Sequence, residues 1–426
     1  MGVVEDRLLE QLLRINSIGA TLEGGVTRLG YSAEEEEAVA LVEGWMRELG
    51  LDVRRDAAGN LYGRRSGRAD GPAVLTGSHL DSVPNGGKYD GAVGVLCALE
   101  TARRLVEEDI LTEHPVEVVV FRCEESSRFG AATLGSRAVA GTLSVEDLHR
   151  LRDAAGTTVA QAMQALGLDP RRVSEARRDP SSIRAFVEVH VEQGTVLETE
   201  GCPIGVVTHI AAPTRYRVRV SGEAAHSGAT PMDRRRDALA AAAEIVLAVE
   251  QAAREESPNG TVGTVGVLTV RPGAMNVVPG DAEMGIDIRS IDGASKARAV
   301  ARVLAAMDDV ARRRGVKITR ELLVEEEPAA MHPLVLEGIE RAARDAGLNA
   351  RPMASPAGHD AMHMARIAPA GMVFLPSRDG ASHNPLEYTD IEDVAAGAEV
   401  LFRTVCRLAK AEETGFETAE SRRKGA

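Results

Sequence analysis

Along this chain, short apolar runs alternate with stretches in which apolar residues recur every three to four positions, a pattern that predicts strands alternating with helices. Residues 4–16 and 33–50 read as helices, the second of which Gly50 can terminate. Two short strands, 52–55 and 60–64, follow around the turn Ala58-Gly59, and AVLTG (73–77) is a short buried strand. Residues 92–107 then form an amphipathic helix with Val95, Leu99, Ala102 and Val106 on one stripe. PVEVVVFRCEES (115–126) is apolar nearly throughout before it ends in a glutamate pair, which implies burial on both faces, as in a parallel sheet. Polar helical pattern without recognisable chemistry fills 142–180, which reads as an insertion, and AFVEVHVEQGTVLE (185–198) alternates as a strand.

Near Ala211 the rhythm changes. RYRVRVSG (215–222) alternates with period two, as a half-exposed antiparallel strand does. A long helix, two strands, a second helix and the strand VKITREL follow. The order βαββαβ is the ferredoxin-like split motif, enough for a domain of roughly 110 residues. After Pro328 the mixed pattern returns: a helix over 334–347, the loop SPAGHDAMHMA, the strand GMVFLPS, the loop RDGASHNPLEYTD and a helix from 391 to about 410. The tail ETAESRRKGA is expected to be disordered. The predicted fold class is therefore α/β. A mixed, mainly parallel sheet domain flanked by helices is built from 1–211 and 328–426, and an α+β domain, 212–327, is inserted into it.

Composition narrows the class. At 426 residues two domains are the default, and 44% hydrophobic with 27% charged residues is ordinary for a soluble globular protein. A net charge of -14 argues against the clustered basic face of a nucleic-acid binder. Cys97, Cys123, Cys202 and Cys406 lie far apart with no C-x-x-C pair, so reduced thiols are expected rather than disulfides or a thiolate zinc site. No run approaches 18 apolar residues and the acidic amphipathic start does not resemble a signal peptide. A cytoplasmic protein is expected.

The chemistry-bearing residues gather at predicted strand ends. GSHLDSVPNGGKYDGAVG (77–94) places His79, Asp81 and Asp90 in a segment otherwise small, polar or glycine. A His-x-Asp after a central strand, with a glycine-rich loop and an acidic residue before a helix, is where an α/β sheet holds a metal or ligand. Glu124 and Glu125 end the next strand, and His190, Glu192 and Gln193 lie toward the end of another. His79, Asp90, Glu125, His190 and His383 form a candidate ligand set. Imidazoles with carboxylates and no thiolate suit Zn2+, or Mn2+, Co2+ or Ni2+. A shared carboxylate can hold two ions about 3.5–4 Å apart. His359 and His363, four residues apart, could mimic a helical metal pair, although their AGHDA context favours a structural or pocket role; His114, His149 and His332 have no ligand types nearby and read as surface.

The motifs GSHLDSVPNGGKYDG, EESSRFG, HVEQG, AAHSGATPM, NVVPG, AGHDA and PSRDGASHNPLE resemble those of the M20-type metallohydrolases. Within that family they resemble the hydantoinase/carbamoylase branch of N-carbamoyl-L-amino-acid hydrolases, β-ureidopropionases and allantoate amidohydrolases. The resemblance runs in order from about residue 5 to 410. It implies that Asp90 bridges two ions, with His79 and His190 completing one site and Glu125 and His383 the other. Glu124 is then the general base and later the acid, with Asp81 orienting His79. These residue types suit the chemistry: water between two cations loses its proton more readily, and an unliganded carboxylate can take that proton and return it to a leaving nitrogen.

The same resemblance makes the inserted domain a lid and dimerisation domain. His226 would reach the partner subunit's active site and stabilise an oxyanion, while Asn276 and Arg289 grip a substrate carboxylate, for which the planar guanidinium fork is suited. Gln193 and the Gly358-His359 backbone are further pocket candidates. The expected enzyme is a homodimer with two divalent ions per subunit that cleaves a linear ureido C–N bond, of N-carbamoyl-L-amino acids first and allantoate second. β-Ureidopropionase and dipeptidase or aminoacylase activities stand lower. Two positions depart from the family pattern: Ser126, where relatives carry Gly, and His209, where they carry a small residue.

Overall fold

The structure is a computed structural model that describes residues 3–410; the tail ETAESRRKGA lies outside the described residues. The chain forms two compact units. One takes the described residues up to Thr208, Met331–Met353 and those from His359 onward; the other takes His209–Ala330 and Ala354–Gly358.

Strands buried on both faces organise the first unit. Val116–Phe121, Ala73–His79, Ile183–Val191 and Ala370–Leu375 lie side by side in that order, all parallel. Nearly every residue in them is buried, which explains why their sequences are apolar runs rather than alternations. Antiparallel strands flank this parallel centre: Asp52–Arg55 and Leu61–Arg65 on one side, Ile204–Ile210 on the other. Because the central strands are parallel, their C-terminal ends share one edge of the sheet. That edge is where open α/β sheets present ligand-binding loops.

The helix Ala92–Glu107 begins directly after Asp90-Gly91 and packs on the sheet. Gly94 permits the close approach, since a Cβ there would come within 2.3 Å of the Val189 carbonyl oxygen. Val95, Leu99 and Ala102 are buried as their spacing predicts, whereas Val106 is 38% exposed, past the end of the contact. The helix Ile391–Leu408 packs against Ala92–Glu107 and Pro333–Asp345 in the main core. The 142–180 segment has a satellite core of its own, in which Leu148, Val159 and Met163 pack with Tyr31, Cys123 and Phe129.

Several elements differ from their sequence patterns. The glutamate-ended strand stops at Phe121, and Cys123 turns the backbone with φ 52°. The strand carrying His190 stops at Val191, because the Glu192 carboxylate accepts hydrogen bonds from Val196 N and Leu197 N, both 2.8 Å, and so starts a helix at Val196–Glu200. The strand Ala350–Ser355 begins where the pattern marks no element, and the short helix Asp360–Met364 lies within the loop SPAGHDAMHMA, both being too short to mark a period. Of the histidines read as surface, His149 is exposed, but His114 and His332 are half-buried, and His332 caps Pro333–Asp345. All four cysteines are buried and free. Among the described residues no helix is long and apolar enough to cross a membrane.

The second unit has a four-stranded antiparallel sheet in the order Lys317–Glu325, Ala212–Ser221, Asp281–Ser290, Val262–Arg271. Helices Ala238–Glu256 and Gly293–Arg314 share one core with it. Asp281–Ser290 alternates half-buried and buried residues, the period-two pattern of a strand covered on one face.

Candidate metal centre

Each ligand candidate of the first unit stands at the C-terminal edge of the parallel strands. His79 is the last residue of its strand and His190 the last but one. Glu124 and Glu125 follow Phe121 by a few residues, and His383 lies in the loop after Leu375. Gly91, with φ 63°, lets Asp90 turn inward; a Cβ there would strike the His79 ring at 2.5 Å.

The fold brings five of these side chains into two overlapping groups. His79, Asp90 and His190 form one and Asp90, Glu125 and His383 the other, with potential ligand atoms within 4.8 Å of one another in each. Asp90 belongs to both. Its Oδ1 lies 3.0 Å from His190 Nε2 and 3.4 Å from His79 Nε2, and its Oδ2 lies 3.3 Å from His383 Nε2. Glu125 Oε1 is 3.4 Å from the same His383 nitrogen. Four of the five are buried; His383, at φ 57°, opens its side of the cluster to solvent.

Hydrogen bonds decide what the two buried imidazoles can do. His79 Nδ1 donates to the Asp81 main-chain carbonyl at 3.0 Å, and His190 Nδ1 to the Val191 carbonyl at 2.9 Å. With Nδ1 the donor, a neutral ring presents an Nε2 lone pair, and both lone pairs face the Asp90 carboxylate. That arrangement is repulsive unless positive charge lies between. His79 Nε2 is buried without a hydrogen-bond partner, as a ligand atom aimed at a cation would be. The donor set, imidazole nitrogen with carboxylate oxygen, therefore fits a divalent metal. In the absence of a metal, burial opposes charging His79, but Asp81 and Asp90 outweigh it and hold the ring pKa well above the usual range. For Asp90 burial also opposes charging, which here works upward, but His190, His383 and His79 pull its pKa well below the usual range.

Glu124 stands beside this cluster and outside both groups, with Oε2 3.9 Å from His79 Nε2. Burial drives its pKa far up, opposed by His79 and reinforced by Glu125, Asp360 and Asp81. A carboxyl made basic in this way suits proton transfer. The Asp81 carboxylate does not chiefly grip His79, from which it lies 3.5 Å. Its Oδ1 accepts from Glu124 N and its Oδ2 from Glu125 N, both at 2.9 Å. Asp81 thus fixes the backbone of the glutamate pair, while its main chain orients His79.

Gln193, at φ 59°, aims its amide into the second group, with Nε2 2.7 Å from Asp90 Oδ2 and 3.3 Å from His383 Nε2. His359 is buried with its ring centroid 4.5 Å from that of His190, and burial keeps it neutral. His363 is apart, its Nε2 2.8 Å from Thr133 Oγ1.

The remaining candidates belong to the second unit, as does Gly358. His226 is exposed, and its Nδ1 accepts from Gly228 N and Ala229 N, both at 3.1 Å. Those bonds set the neutral tautomer with the proton on Nε2, making that nitrogen a hydrogen-bond donor. Asn276 adjoins it, since Ser227 N donates to Asn276 O at 3.0 Å and Val277 pairs with His226. Arg289 is elsewhere. The His226 hairpin joins the sheet at its Ser221/Asp281 end, where Gly222 N donates to Gly280 O, whereas Arg289 pairs with Pro213 eight positions along the strand, about 27 Å away at ~3.4 Å per residue. Its guanidinium is engaged by Asp287, at 3.0–3.3 Å, and by Pro356 O at 3.4 Å. His209, at the start of this unit, pairs with Ala330.

Two participants give little sequence signal. Glu35 lies in the run Glu34–Glu37, which resembles any solvated helix start, yet it is fully buried and accepts from Cys123 N at 3.0 Å, directly before the glutamate pair. Glu387 closes the His383 loop and reaches the Asp90 loop, a contact invisible across the intervening sequence.

Comparison with known proteins places the chain in a family. The model of peptidase family M20/M25/M40 matches residues 75–407. An N-carbamoyl-L-amino acid amidohydrolase of Geobacillus stearothermophilus is 45% identical over 96% of this chain and 99% of its own. An allantoate amidohydrolase of Bacillus subtilis is 35% identical over 95% and 98%. The crystal structure of a hydantoinase/carbamoylase family amidase from Burkholderia multivorans superposes with a TM-score of 0.84 at 37% identity, covering 95% of this chain and 98% of that one. Motifs, site geometry and full-length similarity converge: the chain belongs to the M20/M25/M40 peptidase family, among its hydantoinase/carbamoylase amidases.

Proposed function

We propose that this chain is a dimetal amidohydrolase that cleaves the ureido C–N bond of N-carbamoyl-L-amino acids, adding water and releasing the amino acid, ammonia and carbon dioxide. The observation that carries the reading is the pair of ligand groups sharing Asp90, with Glu124 unliganded beside them. His79 and His190 would hold one ion and Glu125 and His383 the other. Two divalent cations, Zn2+ first with Mn2+, Co2+ or Ni2+ as alternatives, would polarise the ureido carbonyl and acidify an attacking water. Glu124 takes the water proton and returns it to the leaving nitrogen, a task for which its buried, basic carboxyl is suited. Gln193, 2.7 Å from Asp90, and His359, packed beside His190, would line the pocket.

His226, with its fixed Nε2–H, donates to the developing oxyanion, and Asn276 and Arg289 bind the substrate carboxylate. One small substrate cannot bridge the roughly 27 Å between the His226 hairpin and Arg289 of a single subunit. Their joint use therefore requires two copies, His226 and Asn276 coming from one and Arg289 from the other. This supports a homodimer in which the second unit is both lid and interface. Arg289 must also exchange part of its contact with Asp287 for the substrate. Allantoate is the second reading, favoured by the Bacillus subtilis relative.

Two measurements test the proposal. Metal-replete protein supplied in turn with N-carbamoyl-L-amino acids, allantoate, β-ureidopropionate and dipeptides should release ammonia fastest from the first; turnover of dipeptides alone would overturn the ureido reading. Glu124→Gln should keep its metal while kcat falls by about 10²–10⁴, and unchanged turnover would exclude Glu124 as the base.

A further inference from the structure

The loop carrying Asp90 and the loop carrying His383 are almost three hundred residues apart in sequence, and one buried side chain joins them. Glu387 is 2% exposed. Its Oε1 accepts from Tyr89 N at 2.8 Å and from Asp90 N at 2.9 Å. Its Oε2 accepts from Ser382 Oγ at 3.0 Å, and that hydroxyl lies 3.3 Å from Asp90 Oδ2. Residue 87 is glycine where the carboxylate rests, since a Cβ there would fall 2.0 Å from the Glu387 carboxyl carbon. Glu387 thus holds the amide of the shared carboxylate and the residue before His383 at once, without itself belonging to either ligand group.

We propose that Glu387 is the positioning residue that makes Asp90 a bridging ligand. By tying the two loops together it sets the distance between Asp90 Oδ2 and His383, and so builds the second metal site onto the first. The inference rests on the dimetal reading above. The first group does not need this clamp in the same way: His79 and His190 stand on strands, and their rings are oriented by carbonyl oxygens of their own strand ends. All three residues of the second group follow strand ends in loops; Glu125 is tied through its N–H to Asp81 at 2.9 Å, whereas the rigid strands do not determine how Asp90 and His383 lie relative to each other.

The test is titration of chelator-stripped protein with Mn2+, following heat for stoichiometry and affinity and electron paramagnetic resonance for spin coupling between neighbouring ions. Wild-type protein should bind two ions and show a coupled signal, and His383→Ala should lose the second ion. Glu387→Ala should bind the first ion as wild type does and the second about 10–100-fold more weakly, the usual effect of removing a residue that supports metal ligands. Its coupled signal should fade accordingly. Glu387→Gln should stay close to wild type, because its carbonyl oxygen still accepts both amides and its NH2 can donate to Ser382. Ser382→Ala, a smaller change that spares the fold, should weaken the second ion in the same direction. Unchanged second-site affinity in Glu387→Ala or Ser382→Ala, or equal loss at both sites, would overturn the proposal. A wild-type protein that binds only one ion would instead overturn the dimetal reading.

Discussion

Replacing Asp81 with Asn separates two roles that the sequence leaves merged. If Asp81 served only to orient His79 toward a metal, the substitution would matter little in metal-free protein. The structure gives its carboxylate another task, because each oxygen accepts one backbone N–H of the glutamate pair at 2.9 Å in a fully buried position. Asn can keep one of these bonds. The other amide then faces an NH2, so a charge-assisted bond worth ~1.5–3 kcal/mol is lost and two buried donors confront each other at a further cost of ~1–3 kcal/mol. Removing one negative charge from among Glu35, Glu124 and Glu125 offsets part of this, leaving a net loss of about 2–4 kcal/mol. The assay is urea unfolding of chelator-stripped Asp81→Asn, where a midpoint shift of about 0.5–1 M with an unchanged m-value is expected. kcat of the metal-replete protein should fall by at least ~10²-fold, since a small displacement of Glu124 misplaces the proposed proton acceptor. A metal-free midpoint equal to wild type would refute the reasoning and return Asp81 to a role on His79 alone.

Burial, with Arg366 and Arg137 adding to it, lowers the His363 pKa to about 3. The unfolded imidazole, near 6.5, takes up a proton that the folded one refuses, so the stability from this residue is complete above pH 6.5 and is lost as pH falls toward 3. At pH 5 the loss is about 2 kcal/mol, and His363→Gln should flatten that slope in denaturation curves between pH 5 and 7; an unaltered slope would contradict it. Arg122→Met should destabilise the first unit by about 3–5 kcal/mol in the same assay, because it strands Glu35, whose Oε2 lies 2.9 Å from Arg122 Nε with both side chains fully buried; a loss under ~1 kcal/mol would contradict a buried pair. Mixing His226→Ala with Glu124→Gln subunits should restore part of the activity in heterodimers, whereas no recovery in heterodimers shown to form would count against an imidazole donated across subunits.

Much of the site was legible in the sequence because its residues occupy positions that local pattern can identify. A parallel strand buried on both faces must be a continuous apolar run, and polar ligand types just beyond such a run stand out. His79, the Glu124-Glu125 pair and His190 are all marked this way, and glycines beside Asp90 announce a tight loop. The division of labour was less legible. That Asp81 serves the glutamate backbone depends on two strands lying side by side, and sequence order carries no register.

The sequence by itself therefore determined the α/β class, the strand ends that carry the candidate ligands, and the family, because periodicity and motif are local properties of the chain. Only the tertiary structure decided that Asp90 lies between two groups, that Glu124 stays outside both, that Glu35 and Glu387 are buried supports rather than solvated acids, and that His226 and Arg289 stand at opposite ends of one sheet. Those are distances between segments remote in the chain, and they are set by packing and strand pairing rather than by any residue's neighbours in sequence.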